Sequence, residues 1–212
     1  MPAVTVIDYG IGNLLSVTRA IEHCGATVVL TDDARKIADA DYLVLPGVGA
    51  FTDGMAGLTE RGLVEPIKVF ATKERPFMGI CLGMQLMLDE SEEFGAHEGL
   101  GLVPGKVVAI PPVGNDGLPH KIPHIGWNEI YAPEGIIWEG SILDNTRESS
   151  SFYFVHSFTA KPGFHEHKLA DCYYGGQVIA AAIRKDNLYG CQFHPEKSGL
   201  AGLSILKTFL MF

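Results

Sequence analysis

Short apolar runs that stop at glycine or proline, each followed by a helical pattern, set the tightest limit on what this chain can fold into. Val4–Asp8 reads as a first strand, with the loop Tyr9–Gly12 after it and a helix from about Asn13 to Cys24. Asn13 is the expected cap of that helix and Gly25 its end. Thr27–Leu30 and Tyr42–Leu45 are continuous apolar runs, the pattern of strands buried on both faces. Helical segments over Met55–Gly62 and Val64–Lys73 lead to a strand at Pro76–Ile80 and a helix over Leu82–Leu88. Repeated strand-then-helix units predict an α/β fold, a mostly parallel central sheet with helices on both faces.

The second half changes character. Glycine and proline are frequent from Gly99 to Asp116, and an irregular stretch is expected as far as Trp127. Phe152–Val155, Leu169–Tyr174, Val178–Ile183 and Leu188–Phe193 follow as strands at hairpin-like spacing, before a last helix from about Leu200 to Phe212. A small antiparallel extension of the α/β core is the expectation. No repeat or low-complexity linker divides the chain, so residues 1–212 are expected to form one domain.

Nearly half of the residues are hydrophobic (47%), enough for a sizeable core, and the net charge is −9 without a basic cluster. That charge argues against nucleic-acid binding. No apolar run approaches the ~20 residues that span a bilayer, and no export signal is visible, so a cytoplasmic protein is expected. Cys24, Cys81, Cys172 and Cys191 are then expected as free thiols, and their scattered spacing matches no zinc pattern.

The strongest chemical signal is Gly79-Ile80-Cys81-Leu82-Gly83-Met84-Gln85. An apolar strand runs straight into Cys81 and a helical pattern runs straight out, with glycines two residues to either side. A nucleophile elbow needs this arrangement, since the chain passes itself closely at a strained turn. The amino end of a helix favours thiolate over thiol. Taken alone, the motif fits a buried core cysteine as well as a nucleophile. His194-Pro195-Glu196 supplies what a nucleophile lacks. In an extended segment His194 and Glu196 face the same side, so Glu196 can orient the imidazole that takes the thiol proton. Pro46-Gly47-Val48-Gly49, after the strand Tyr42–Leu45, can aim a backbone N–H at an oxyanion beside the N–H of Leu82.

Together PGVG at Pro46–Gly49, GICLGMQ at Gly79–Gln85 and HPEKS at His194–Ser198 make the chain resemble the triad (class I) glutamine amidotransferases, in the family's order and over nearly its whole length. The resemblance implies glutamine as substrate, a γ-glutamyl thioester on Cys81, His194 as acid/base, Glu196 as its orienter, and no cofactor. It also implies glutamine contacts by Gln85, His156 and Ser157. Asp8–Asn13, Pro123-His124-Ile125-Gly126-Trp127-Asn128 and Tyr153-Phe154-Val155-His156-Ser157 are similar to one branch, the glutaminase subunits of imidazole glycerol phosphate synthase. That branch implies a heterodimer with a separate (β/α)₈-barrel cyclase, faced by Asn13, Trp127 and Lys197. Ammonia passed to the cyclase would yield imidazole glycerol phosphate and aminoimidazole carboxamide ribotide in histidine biosynthesis. His120, His124, His165 and His167 are read as surface or structural. Other ammonia recipients, a free-standing cysteine hydrolase and a non-catalytic binding module stay open as alternatives.

Overall fold

The computed structural model describes residues 1–212. In chain order the first elements are β1 (Ala3–Ile7), α1 (Leu14–His23), β2 (Thr27–Thr31), α2 (Ala34–Ala38), β3 (Tyr42–Gly47), α3 (Phe51–Glu60), α4 (Val64–Ala71), β4 (Phe77–Cys81) and α5 (Leu82–Leu86). Then come β5 (Leu88–Ser91), β6 (His97–Glu98), β7 (Val103–Ala109), β8 (His124–Glu129), β9 (Ser151–His156), β10 (Phe158–Pro162), β11 (Lys168–Tyr174), β12 (Gln177–Lys185), β13 (Leu188–Cys191) and α6 (Gly199–Phe209). No helix is long and apolar enough to cross a membrane.

A seven-stranded sheet in the order β11-β12-β13-β4-β3-β1-β2 runs through the molecule. Its last five strands in that order, β13 to β2, are mutually parallel, while β12 and β11 add antiparallel pairs at one edge. The apolar runs of β1, β3 and β4 are explained by two cores, whereas β2, expected to be buried on both faces, is the edge strand of the sheet and leaves Val29 and Leu30 exposed. Val4 and Val6 of β1, Val44 of β3 and Met78 and Ile80 of β4 pack with α1 and α6. Ile7, Leu43, Leu45 and Phe77, on the opposite pleat, pack with α3, α4 and α5. On α1, Val17, Ala20 and Ile21 form the buried stripe that its 3.6-residue period predicts.

Three further expectations need correction. The helix after Cys81 ends at Leu86 instead of Leu88. The carbonyls of Leu86 and Met87 accept the N–H groups of Leu100, Leu102 and Val103 at 2.8–3.0 Å, which turns the chain out into β5. The stretch after Gly99 is not irregular throughout, because β7 and β8 lie within it. β7 pairs with β10 antiparallel and with β5 parallel, forming a four-stranded sheet β10-β7-β5-β6 in which the β7–β10 partners are distant in sequence. Asn13 makes no side-chain cap on α1, whereas Asp33 caps α2 by accepting from Arg35 and Lys36 N–H at 2.8 and 3.1 Å.

Candidate active site

Three parallel strands, β3, β4 and β13, end side by side, and the residues beyond their carboxyl ends form one side of the site. Open α/β sheets bind ligands at that edge. Cys81 ends β4 with φ +54° and ψ −109°, a left-handed backbone on a residue other than glycine. Such a turn costs roughly 1–3 kcal/mol and persists only where its surroundings over-determine it. Here they do. A Cβ on Gly83 would stand 1.8 Å from the Leu45 carbonyl oxygen, and one on Gly79 2.7 Å from the Gly83 oxygen. Gly47, in register with Cys81, would strike the Tyr9 hydroxyl at 2.5 Å. Strand, turn and helix therefore interlock through hydrogen-sized side chains.

The Cys81 thiol is almost buried, its Sγ 3.9 Å from the Val155 carbonyl oxygen and 3.7 Å from Gln192 Nε2. Cys24, Cys172 and Cys191 are also free, and burial pushes their thiols upward. None of those three lines the cavity described below.

His194 follows β13, whose pairing with β4 (Cys191 opposite Ile80) delivers it beside the elbow. The expected extended run through Glu196 is replaced by a 3-10 turn at Pro195–Lys197. The turn still brings His194 Nδ1 to 2.9 Å from Glu196 Oε1, with the two side chains only 2% and 1% exposed. His194 Nε2 is buried without a hydrogen-bond partner, and Cys81 lies close enough to raise the pKa of the ring. Burial is the largest single influence on this imidazole and lowers its pKa. The combined pull of Cys81 and Glu196 outweighs it, and His194 is pushed up to about 9. The pair is thus an imidazole held ready to carry a proton beside a thiol.

Beside the thiol lies a cavity of about 260 Å³ lined by Val48, Gly49, Cys81, Leu82, Gln85, Glu93, Pro123, Val155, His156, Ser157 and Phe158. It falls below the ~300–1,000 Å³ typical of drug-sized ligands, which suits a small amino acid. The sequence-derived residues Gly47, Val48, Gly49, Leu82, Gln85, His156 and Ser157 therefore gather at the site, Gly47 through its register with Cys81. Gly49 has φ +103°, a conformation that asks for glycine. Leu82 N–H stands at the first position of α5, where helical N–H groups have no partner within the helix. The His156 ring is not available to a ligand. Its Nδ1 donates to the Phe158 carbonyl at 2.7 Å and its Nε2 accepts from His124 Nδ1 at 3.0 Å.

His124, read from sequence as surface or structural, is buried at 2% exposure. Burial lowers it to about 4, with His120 adding to the effect. His156 is lowered to about 3, chiefly by burial. Both rings are neutral at ordinary pH. His120 and His165 bond backbone carbonyls of Pro111 and Glu134.

Pro123, Val155 and Phe158 line the cavity without having been expected there, and three polar side chains also escaped the sequence reading. Gln192 is fully buried and reaches Cys81, Glu93 is a carboxylate in the cavity wall, and Ser198 ties His194 to β9. Of these polar three, only Ser198 carried a local signal, its place in HPEKS. Among the partner-facing candidates, Trp127 is 59% exposed and edge-on to Tyr153 at 6.2 Å, while Lys197 Nζ stands 6.0 Å over the same ring. Trp127 and Lys197 thus share one exposed patch. Asn13 lies just before α1, which packs against the Pro195–Lys197 turn.

Comparison with known proteins agrees with this geometry. The glutamine amidotransferase class-I family matches residues 5–211. Imidazole glycerol phosphate synthase subunit HisH 1 of Legionella pneumophila (strain Lens) is 57% identical over 211 residues, covering 99% of each chain. Subunit HisH of Geobacillus thermodenitrificans (strain NG80-2) is 46% identical over 210 residues, covering 99% of this chain and 96% of that one. Among solved structures, PurLQS from Thermotoga maritima superposes with a TM-score of 0.71 at 18% identity, covering 99% of this chain and 98% of its own, a likeness of fold. With the family matched along almost its full length, this chain belongs to the class-I glutamine amidotransferases.

Proposed function

We propose that the chain, working as a single domain over residues 1–212, is the glutaminase subunit of an imidazole glycerol phosphate synthase. It hydrolyses glutamine to glutamate and ammonia, and the ammonia serves a cyclase that makes imidazole glycerol phosphate and aminoimidazole carboxamide ribotide in histidine biosynthesis. The observation that carries this is the strained Cys81 turn with the His194–Glu196 pair and the cavity beside it, in a chain 57% identical over its length to a subunit of that synthase.

The chemistry follows from the positions. His194 Nε2 takes the Cys81 proton, and Glu196 at Nδ1 stabilises the resulting imidazolium. The thiolate attacks the side-chain amide carbon of glutamine. The tetrahedral oxygen gathers charge where the Leu82 N–H and an N–H of the Gly47–Gly49 loop can meet it. Collapse breaks the C–N bond, His194 returns its proton to the departing nitrogen, and ammonia leaves a γ-glutamyl thioester. His194 then deprotonates water, which attacks the thioester and regenerates Cys81. Glu93, the one charged side chain in the cavity wall, suits the α-ammonium of glutamine, and the backbone at His156–Ser157 suits its main-chain groups.

The partner is proposed to be a (β/α)₈-barrel cyclase docking on the face that carries Asn13, Trp127 and Lys197, as a heterodimer. The glycines at Gly47 and Gly49 allow the peptide between them to flip, so cyclase binding can switch the oxyanion site on. Cytoplasmic residence suits the four free cysteines. The decisive test is ammonia release from glutamine, measured with the cyclase present, by the parent and by Cys81→Ala. A fall of at least ~10³-fold is expected. Unchanged release would sink the mechanism.

A further inference from the structure

The Phe158 carbonyl can only accept hydrogen bonds. It accepts from His156 Nδ1 at 2.7 Å and from Gln85 Nε2 at 3.0 Å. Gln85 must therefore point its NH₂ group at Phe158, whichever way the amide is drawn. The same nitrogen reaches Gln192 Oε1 at 3.0 Å, so Gln192 must turn its oxygen toward Gln85. Its own NH₂ is left facing Cys81, with Nε2 3.7 Å from Sγ. Gln192 is 0% exposed, and rotating its amide would break the bond to Gln85 and bury two unpaired groups. One backbone carbonyl thus fixes the polarity of two amides in series, and the series ends at sulfur.

We propose that Gln192 is a further catalytic residue, a fixed N–H donor that holds the Cys81 sulfur in its anionic form and aims it into the cavity. Gln85 is its positioning residue, and His156, locked by His124, secures the carbonyl on which both depend. This rests on Cys81 being the nucleophile. His194 can favour the thiolate only while it carries the proton, whereas an amide neither gains nor loses one. Gln192 therefore serves both halves of the cycle. It meets the thiolate before attack, and again when the thioester C–S bond breaks and its electron pair returns to sulfur as water's proton goes to His194. The other titratable groups around Cys81 are Tyr9 after β1, Glu93 after β5, His156 on β9, and His194 with Glu196 after β13. None is altered by a change at position 192.

The test is the pH profile of Cys81 alkylation by iodoacetamide on the whole chain, read by peptide mass spectrometry so that Cys24, Cys172 and Cys191 do not contribute. Gln192→Met keeps the shape and removes the donor; Gln192→Asn keeps the amide and withdraws it by one methylene. Both are expected to raise the alkylation midpoint by about one pH unit while leaving the plateau rate intact. With the cyclase present, kcat should fall about tenfold with KM within about twofold. Midpoints superimposable on the parent in a folded variant overturn the proposal. Circular dichroism reports folding, and the Asn variant decides if the Met variant does not fold. Alkylation needs no turnover, so a failed glutaminase reading shows itself separately, as ammonia release surviving Cys81→Ala.

Discussion

His194 is held at three atoms. Its N–H donates to the Tyr153 carbonyl at 2.9 Å, its carbonyl accepts from Ser198 Oγ at 2.7 Å, and its Nδ1 lies 2.9 Å from Glu196. The ring is pushed up to about 9, so the fold favours its protonated form. Stability from this source is fully present below the ordinary histidine value of ~6.5 and is lost as pH climbs through about 9. Glu196→Gln should cost roughly 3 kcal/mol near neutral pH, because it leaves the buried imidazolium without its carboxylate. It should also flatten the decline on the alkaline side. Urea midpoints measured from neutral pH to beyond the titration check both; parallel curves for parent and variant would contradict the assignment. Cys81, His194 and Glu196 were legible because each sits in a short motif whose chemistry is local. Gln192 and Glu93 were not. Their partners, Cys81 and Phe51, lie 111 and 42 residues away, and nothing beside them in sequence announces the contact.

At the scale of elements, the elbow works only if β4, α5 and the end of β3 approach closer than side chains allow. Gly83→Ala places a methyl against the Leu45 carbonyl, backbone against backbone, with no flexible atom to give way. A loss of about 3 kcal/mol is expected, seen as a lower urea midpoint at unchanged slope. A stability within about 0.5 kcal/mol of the parent would show that the strand and helix can part. The parallel core was readable because β1, β3 and β4 are buried on both faces and so, Thr5 apart, are apolar over their buried lengths. β7 was not, because Val103-Pro104-Gly105 looks like a turn and its ladder depends on the distant β10 as well as on β5. The 3-10 turn at Pro195–Lys197 hides for a related reason. It is fixed from outside, by Ser198 bonding β9 and by Gly202 lying under the Pro195 carbonyl.

For the whole molecule, the patch of exposed Trp127 and Lys197 around the half-buried Tyr153 is continuous with the turn that carries Glu196. Trp127→Ala should weaken binding of the cyclase by about 2 kcal/mol, as loss of an aromatic anchor does, with the melting temperature of the free chain unchanged. Calorimetric titration decides it, and undiminished affinity would move the docking face elsewhere. The order of the sheet has a consequence of its own. β13, the last strand along the chain, inserts between the earlier β4 and β12, and only then do Gln192 and His194 come to Cys81. A chain leaving the ribosome delivers Cys81 well before Gln192 and His194, and its domain folds as a unit. It therefore carries its thiol for a long interval with neither proton acceptor nor amide beside it. Glutamine is safe from the half-made protein, and hydrolysis begins only when the sheet is complete.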